Sequence, residues 1–92
     1  MIASFRCKET RAIWQGGVVR RFQAIHRQAL RRLDILNAAT SLEDLMRNPG
    51  NHFEALRGNR KGQFSIRVNL QWRICFTWNG HEAHDVEIVD YH

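Results

Sequence analysis

The spacing of apolar residues along the chain changes near residue 52. Before that point apolar residues recur every three or four positions, and after it they recur at every second position. The first spacing is typical of amphipathic helices and the second of half-buried strands. The sequence therefore predicts a mainly helical first half followed by a β-sheet.

The first half is predicted to hold a short strand and two helices, followed by a short helical turn. Ile2 to Arg6 is interpreted as the strand, Lys8 to Gln15 as a helix ended by two glycines, and Phe22 to Ala39 as a long helix. The apolar stripe of the long helix consists of Phe22, Ile25, Ala29, Leu33 and Leu36. Thr40 is expected to cap a short second turn, with Glu43 as its capping-box partner.

The second half is predicted to form antiparallel strands joined by tight turns. His52 to Arg57 is a predicted strand, and the loop at residues 58–62 carries two cations between two glycines. Strands follow at Phe64 to Val68, Trp72 to Trp78 and Ala83 to Val89. The whole order predicts an α+β fold, with a curled antiparallel sheet of four to five strands packed against two N-terminal helices.

The alternation of apolar residues also fixes the register of the central hairpin. Ile66 must lie opposite Ile74 for both strands to face the core, which leaves residues 69–71 as the loop. The same register puts Arg67 opposite Arg73 on the outer face of the sheet.

Directly opposed like charges destabilise a sheet, so this arginine pair needs an explanation. One is that an anion binds between the two side chains. The other is that Glu87 or Asp85 on the last strand neutralises them. The sequence does not decide between the two.

Asn79 and Gly80 predict the turn into the last strand. A two-residue loop would put Trp78 opposite His81 and would turn Val86 away from the core. A longer or bulged loop running into His81 is therefore expected.

The charge of the chain indicates a polyanionic partner. Its formal net charge is +5, and twelve of its fourteen cationic residues are arginine. Arginine binds phosphate through two parallel hydrogen bonds and stacks on bases, although solubility alone is an alternative explanation for the charge.

The sequence lacks a membrane-spanning run and a signal-peptide pattern, so a cytoplasmic location and reduced Cys7 and Cys75 are expected.

The last three residues of the sequence combine three groups that take part in phosphate chemistry. Asp90, Tyr91 and His92 offer a carboxylate, a phenol and an imidazole directly after a predicted strand. An imidazole has an unperturbed pKa of about 6.5, so it can donate or accept a proton at neutral pH. Together with the arginines of the hairpin, this terminus points to a small enzyme that acts on RNA.

The sequence resembles HigB-type toxins of the RelE/ParE superfamily of bacterial toxin–antitoxin systems. The segments that carry the resemblance are Asn51 to Arg60, Ser65 to Asn69, Trp72 to Phe76 and Val86 to His92. The resemblance implies a single toxin domain over residues 1–92 with a RelE-like microbial ribonuclease fold. It also implies a ribosome-dependent endoribonuclease that cuts mRNA in the ribosomal A site without a metal or other cofactor. A HigA-type helix-turn-helix antitoxin is implied as the partner, and operator DNA is bound only through the complex of the two.

The resemblance also implies roles for individual residues. His92 is the best candidate for the acid or base, and Asp90 orients it or shares the proton transfer. Tyr91 stacks on a base, donates to phosphate, or packs on the sheet. Arg73 matches the cation that stabilises the scissile phosphate. The residues expected to contact RNA are Arg57, Arg60, Lys61 and Arg67.

Position 54 departs from the pattern of some HigB members, which have a histidine there. Glu54 is expected either to act as a carboxylate base or to pair with Arg57 or Arg73. His52 lies two positions away on the same predicted strand face and is an alternative replacement for that histidine.

Other functions are weaker but remain open. A non-catalytic nucleic-acid-binding module within a repressor complex is one, although no helix-turn-helix or RNP-type motif supports it. A ParE-like toxin acting on DNA gyrase is another, although such toxins generally lack this acid/base terminus. His81, His84 and Cys75 do not show the spacing of a zinc site, and no metal is expected.

Overall fold

A computed structural model of the protein describes residues 1–90, and Tyr91 and His92 lie outside the described residues. The α-helices are α1 (Lys8–Trp14), α2 (His26–Ala38) and α3 (Leu42–Arg47), and the 3₁₀ turns are Arg20–Ile25, Pro49–Asn51 and Gly58–Arg60. The strands are β1 (Glu54–Ala55), β2 (Phe64–Arg67), β3 (Trp72–Asn79) and β4 (Glu82–Asp90). Within residues 1–90, no helix combines the length and the apolar character needed to cross a bilayer.

The four strands form one antiparallel sheet in the order β1-β2-β3-β4. Its apolar face packs against α1 and α2 and forms the core. The largest fully buried core side chains include Phe22, Phe76, Ile13, Leu33, Leu36, Leu45, Ile66 and Ile74. The predicted α+β architecture is confirmed, with a sheet of four strands.

The predicted register of the central hairpin is also confirmed. Ile66 pairs with Ile74, and Arg67 pairs with Arg73. The Asn69 side chain closes the loop, because its Oδ1 accepts hydrogen bonds at 2.8 Å from the backbone N–H groups of residues 71 and 72. Asparagine favours such turns since its short side chain can bond its own backbone two residues on.

The irregularity expected between β3 and β4 is present, but it lies within β4. Asn79 pairs with Glu82 across a two-residue turn, so the prediction of a longer or bulged loop is wrong. A register shift further along instead brings Ile88 opposite Ile74. Asp85 occupies the left-handed region at φ 53° in this bulge. One extra residue in β4 therefore returns its apolar residues to the core face.

The predicted strand at residues 2–6 is wrong. Two isolated parallel bridges take its place, joining Ile2 to Ala83 and Phe5 to Val86. Between them, the bulge of β4 interrupts the ladder, and its backbone N–H bonds a side-chain hydroxyl instead. A bulge at the edge of a sheet prevents a continuous strand from pairing there.

The predicted long helix at residues 22–39 begins with a 3₁₀ turn rather than an α-turn. Phe22 and Ile25 are both buried, and their spacing of three residues matches the three residues per turn of a 3₁₀ helix. The α-helical part runs over His26–Ala38. The periodicity located the buried face correctly but did not distinguish the two helix types.

The cap of α3 lies one residue later than predicted. Ser41 is the N-cap, and its hydroxyl accepts a hydrogen bond from the backbone N–H of Asp44 at 3.3 Å. The Asp44 carboxylate in turn accepts hydrogen bonds at 2.9 Å from both the backbone and the hydroxyl of Thr40. Glu43 is solvent-exposed and pairs with Arg47. The Thr40–Glu43 capping box is therefore replaced by a Ser41–Asp44 arrangement.

The predicted strand at residues 52–57 is reduced to Glu54–Ala55. His52 adopts the left-handed conformation, with φ 44° and ψ 51°, and so cannot continue a ladder. A 3₁₀ turn begins at Gly58, which has a φ of 62°. The two turns leave room for only two paired residues between them.

Candidate active site

The candidate site lies on the face of the sheet opposite the helices, where the polar residues of β2 and β3 alternate with the core residues. This face was expected to be an outer surface, but Ser65 and Cys75 are fully buried and Arg73 is nearly so. The segment that carries His52 and Arg60 covers it through contacts with the strands. The site is therefore a polar layer beneath a loop.

Arg73 is the centre of this layer. Its Nε donates to Ser65 Oγ at 2.7 Å, and its Nη2 donates to the backbone carbonyl of His52 and, at 3.5 Å, to the carbonyl of Ser65. Its Nη1 lies 3.4 Å from Oε1 of Glu54. A buried charge is tolerated only when it is paired and hydrogen-bonded, and these contacts supply both conditions.

The carbonyl that Arg73 contacts is fixed by a buried asparagine next to it in sequence. Asn51 is fully buried, and its Nδ2 donates to the carbonyl of Leu45 at 3.0 Å. Its Oδ1 accepts a hydrogen bond from Arg32 of α2 at 2.7 Å. His52, the next residue in sequence, has a left-handed backbone conformation. The contacts of Asn51 with the helical layer therefore hold the turn that presents the His52 carbonyl to the site.

Glu54 provides the charge that offsets Arg73, which answers the question raised by the opposed arginines. Glu87 instead accepts a hydrogen bond from Arg60 at 2.9 Å and lies 4.0 Å from Arg6. Neither Glu87 nor Asp85 neutralises the arginine pair within residues 1–90. Arg67 is half-buried beside Arg73 and forms no ion pair with the described part of the chain. A cation without a matching acid is thus available at the site.

The Cys75 thiol lies among the charged groups of this layer but is unreactive. Burial raises the pKa of its thiol above the ordinary value. The nearby charges of Arg60 and Arg73 act in the opposite direction, and that of Glu87 in the same direction. Since the thiolate is the reactive species, Cys75 is a structural residue rather than a nucleophile.

A cleft of about 490 Å³ is lined by residues 54–57, and it reaches Arg73 only through Glu54, the ion-pair partner of that arginine. Glu54 and Arg57 are both exposed at its rim, and Lys61 is exposed in the loop that follows. Arg60 is half-buried, because its guanidinium also bonds the side chain of Gln63 at 3.0 Å. Of the cations predicted to contact RNA, Arg57 lines the cleft, and the others differ in how far they are exposed.

Of the three residues predicted to form the acid/base terminus, the structure describes only Asp90. The register pairs Asp90 with Trp72, whose ring packs edge-on against Phe22 at 5.4 Å on the helical side. Asp90 therefore belongs to the face opposite that of Arg73, and its Oδ2 accepts a hydrogen bond from Gln71 at 3.1 Å. The predicted roles of Tyr91 and His92 fall outside the described residues.

His52, the alternative to Glu54 as a replacement for the family histidine, contributes its backbone rather than its ring. Its side chain is exposed, and its carbonyl is the group that contacts Arg73. Glu54 is the residue of this pair whose side chain reaches the arginine.

The two histidines whose spacing did not indicate a zinc site, His81 and His84, make separate contacts in the structure. His81 contacts the carbonyl of Thr40 with its Nδ1 at 3.3 Å, and His84 lies 3.8 Å from Glu82. Across residues 1–90, no group of three His, Cys, Asp or Glu side chains is arranged to hold a metal ion. The Arg73 guanidinium is a hydrogen-bond donor of the kind that binds an oxyanion.

Three contributors to the site were not anticipated from the sequence: Ser65, the His52 carbonyl and Asn51. For Ser65 a signal existed, because the correct register already placed it opposite Cys75 and diagonal to Arg73 on one face. The other two depend on a left-handed backbone residue, which the strand prediction for residues 52–57 excluded.

Chemically, the arrangement joins a buried, oriented cation to a carboxylate at the edge of a cleft. A guanidinium held in this way stabilises negative charge that develops on a phosphate during reaction. A carboxylate within reach of the same phosphate can accept a proton. The arrangement therefore contains the two kinds of group, a fixed cation and an exposed carboxylate, that phosphate chemistry uses.

Comparisons with known proteins give a consistent picture. Residues 3–92 match the sequence model of the HigB-like toxin family, described as RelE-like toxins of the type II toxin–antitoxin system HigB. Toxin HigB-1 of Vibrio cholerae is 51% identical over 55 residues, which cover 60% of this chain and 58% of that protein. Endoribonuclease HigB of Proteus vulgaris is 31% identical over 93 residues, which cover all of both chains.

Solved structures share the fold at lower sequence identity. The YoeB toxin in a YoeB–YefM complex from Staphylococcus aureus superposes with a TM-score of 0.58 at 18% identity, over 100% of this chain and 98% of that one. A YoeB/ParE toxin from Agrobacterium tumefaciens gives a TM-score of 0.52 at 17% identity, over 92% and 88% of the two chains. At these low sequence identities, the similarity shows a shared fold alone.

Proposed function

This chain belongs to the HigB-like family of RelE-like toxins of type II toxin–antitoxin systems, and we propose that it is an endoribonuclease that cleaves mRNA in the ribosomal A site. The observation that carries the proposal is the buried Arg73 guanidinium, which is bonded on its inner edge and faces Glu54 beside a cleft. The name of the full-length Proteus vulgaris relative supports the same activity.

The proposed reaction is attack of the ribose 2′-OH on the adjacent phosphate. A base removes the 2′-OH proton, a bond forms from O2′ to phosphorus, and the bond from phosphorus to O5′ breaks. An acid supplies a proton to the departing O5′, so the products are a 2′,3′-cyclic phosphate and a 5′-hydroxyl end. Because the nucleophile is the 2′-OH, the reaction is restricted to RNA.

Arg73 stabilises the negative charge of the five-coordinate phosphorus intermediate in this scheme. A preorganised donor costs no reorganisation at the moment of reaction, and removing one such donor typically lowers the rate by about 10² to 10³. Glu54 is proposed as the base, since its carboxylate lies beside the same guanidinium and is half exposed to the cleft. On phosphate binding, the substrate replaces Glu54 as the partner of Arg73.

The C-terminal residues supply the remaining proton transfers in this proposal. His92 acts as the acid for O5′, and Tyr91 stacks on a base or donates to the phosphate. Asp90 lies on the face of the sheet opposite Arg73, so its proposed role is limited to orienting His92. The family resemblance supports these assignments.

The cations around the cleft are proposed to bind the RNA backbone. Arg57 and Lys61 are exposed, and Arg67 has no acidic partner within residues 1–90. Arg60 is proposed to contact RNA with the part of its guanidinium not bonded to Glu87. Replacing a residue that contacts phosphate should weaken binding and reduce its salt dependence together.

The proposed partners are the ribosome with its mRNA, and a cognate HigA-type helix-turn-helix antitoxin. The solved YoeB–YefM complex supports an antitoxin partner through the shared fold. Operator DNA is bound through the toxin–antitoxin complex, and the ribosomal target places the toxin's activity in the bacterial cytoplasm.

Mapping the 5′ ends of mRNA in a translating bacterial extract tests the proposal. Adding the toxin should produce new 5′ ends within codons, and an inhibitor of translation initiation, which keeps the mRNA off translating ribosomes, should abolish them. Arg73→Ala should remove the new ends, whereas Lys8→Ala, an exposed cation on α1, should leave them unchanged. Intact mRNA together with a DNA-damage response in cells would instead favour an action on gyrase.

A further inference from the structure

We propose that Ser65 is a positioning residue for this reaction: its hydroxyl holds the Arg73 guanidinium in the plane that presents Nη1 to the substrate phosphate. The inference rests on the proposed function. Ser65 does not reach the cleft and is fully buried, so its effect on cleavage must pass through Arg73.

The contacts on the two sides of Arg73 differ in rigidity. On the inner edge, Nε donates to Ser65 Oγ at 2.7 Å and Nη2 donates to the carbonyl of His52. Both acceptors are fixed, one within the β2–β3 ladder and the other in a turn anchored by the buried Asn51. On the outer edge, the partner is the half-exposed side chain of Glu54.

Two bonds from separate elements are needed to fix a planar group. Without the hydroxyl, Nη2 keeps its contacts to the His52 carbonyl and, at 3.5 Å, to the Ser65 carbonyl, but both start from one nitrogen and leave the guanidinium able to rotate about it. The bond from Nε to Ser65 removes this freedom, because Nε and Nη2 lie along the same edge of the guanidinium. Arg73 is thereby held on the inner side while Nη1 can exchange one anionic partner for another.

Loss of the Ser65 hydroxyl would free the inner edge of the Arg73 guanidinium. The Nε–H would then lack its buried acceptor, and a buried donor without a partner is unfavourable. The side chain would gain its missing bond by turning towards Glu54, where a guanidinium and a carboxylate pair through two parallel hydrogen bonds. Arg73 would then compete less well for the charge that develops on phosphate, so kcat should fall more than KM rises.

A double-mutant cycle on single-turnover mRNA cleavage with programmed ribosomes tests the inference. Ser65→Ala should lower the maximal rate by about 10- to 100-fold in the presence of Arg73, within the range found for misplaced catalytic donors. In an Arg73→Ala background, the same substitution should change the residual rate less than about twofold, since groups that act as a unit are non-additive.

A control variant separates positioning from a general effect on the sheet. Thr77→Ala also removes a hydroxyl that bonds a β-sheet carbonyl, at 3.3 Å to His84, but it lies away from the site. It should leave the maximal rate unchanged. Where Ser65→Ala does not fold, Ser65→Cys keeps the volume with a weaker acceptor and should give a smaller loss of the same kind.

A second measurement does not depend on cleavage. In the folded toxin, the Nε–H of Arg73 should give a resolved NMR signal that is protected from hydrogen exchange, and Ser65→Ala should abolish this protection. A wild-type rate in Ser65→Ala, equal losses in both Arg73 backgrounds, or retained protection would overturn the inference. A wild-type protein that does not cleave mRNA, but shows the predicted NMR change, would refute the proposed function and leave the positioning intact.

Discussion

The Glu54 carboxylate lies 3.4 Å from Nη1 of Arg73, and the two side chains differ sharply in exposure, at 51% for the acid and 8% for the arginine. The arginine is anchored by the strand and the turn beneath it, whereas the acid is free to exchange with solvent. A half-exposed ion pair contributes little to stability. In the proposed mechanism the pair serves function instead, because an incoming phosphate takes the place of the carboxylate.

Glu54→Gln should lower the cleavage rate while leaving the fold intact. If the carboxylate is the base, its loss should slow the single-turnover rate by about 10²-fold or more, and the free energy of unfolding should change by less than about 1 kcal/mol. Glu43→Gln, which removes an exposed acid paired with Arg47 on α3, is the matched control. A wild-type rate for Glu54→Gln would mean that Glu54 is only a counter-ion.

Asn51→Ala should destabilise the protein because the buried carbonyl of Leu45 and the half-buried Arg32 lose their hydrogen bonds. Arg32 and the carbonyl of Leu45 would each be left without the amide that now bonds them. Leaving buried polar groups unsatisfied costs about 1–3 kcal/mol, so urea unfolding should show a loss in that range. Asn59→Ala, at an exposed position of the loop after β1, should change the stability by less than about 0.5 kcal/mol. Equal stabilities for the two variants would contradict the anchoring role of Asn51.

Cys75 should resist thiol reagents in the folded protein. Its side chain is fully buried, and burial raises the pKa of its thiol. In a Cys7→Ser variant, labelling of Cys75 should be at least about a hundredfold slower in buffer than in urea, as expected for a site that opens at a cost of about 3 kcal/mol. Rapid labelling under native conditions would show that the polar layer is open to solvent.

The cap of α3 should make stability depend on pH in the acid range. Hydrogen bonds from the backbone and then the hydroxyl of Thr40 hold the pKa of Asp44 below its ordinary value of 3.8. Since folding lowers this pKa, the unfolded chain binds more protons, and the stabilisation present above the ordinary value is lost as pH falls through the lowered one. Asp44→Asn should therefore be less stable than the wild type at pH 7.

Urea unfolding at several pH values checks this prediction. The difference between Asp44→Asn and the wild type should shrink as pH falls below about 3.8, the unfolded-state value. A difference that stays constant with pH would show that the charge of Asp44 does not contribute to the cap.

The sequence predicted the sheet more completely than the segment that covers it. Strict alternation fixed the pairing of Ile66 with Ile74, because a slip of one residue would expose every core side chain of the hairpin. The same parity required an irregularity between β3 and β4, but it was expected in the loop at His81 and lies within β4 instead. A left-handed residue such as Asp85 has no periodic signature in the sequence.

The candidate site was predictable only where it depended on strand register. The opposition of Arg67 and Arg73 followed from parity, whereas the choice of Glu54 as the partner of Arg73 did not. That choice depends on the turn at His52, whose left-handed backbone ends the strand early and turns a carbonyl to the site. Such turns are set by buried side-chain contacts from distant helices, here from Arg32 to Asn51, which local patterns do not encode.

The most direct measurement is cleavage of a defined mRNA on purified ribosomes, with the product ends identified chemically. The account predicts a 2′,3′-cyclic phosphate and a 5′-hydroxyl end at the A-site codon, and a rate about 10² to 10³ lower for Arg73→Ala with the fold retained. Cleavage by Arg73→Ala at the wild-type rate, or the absence of any RNA product from the wild-type protein, would contradict it.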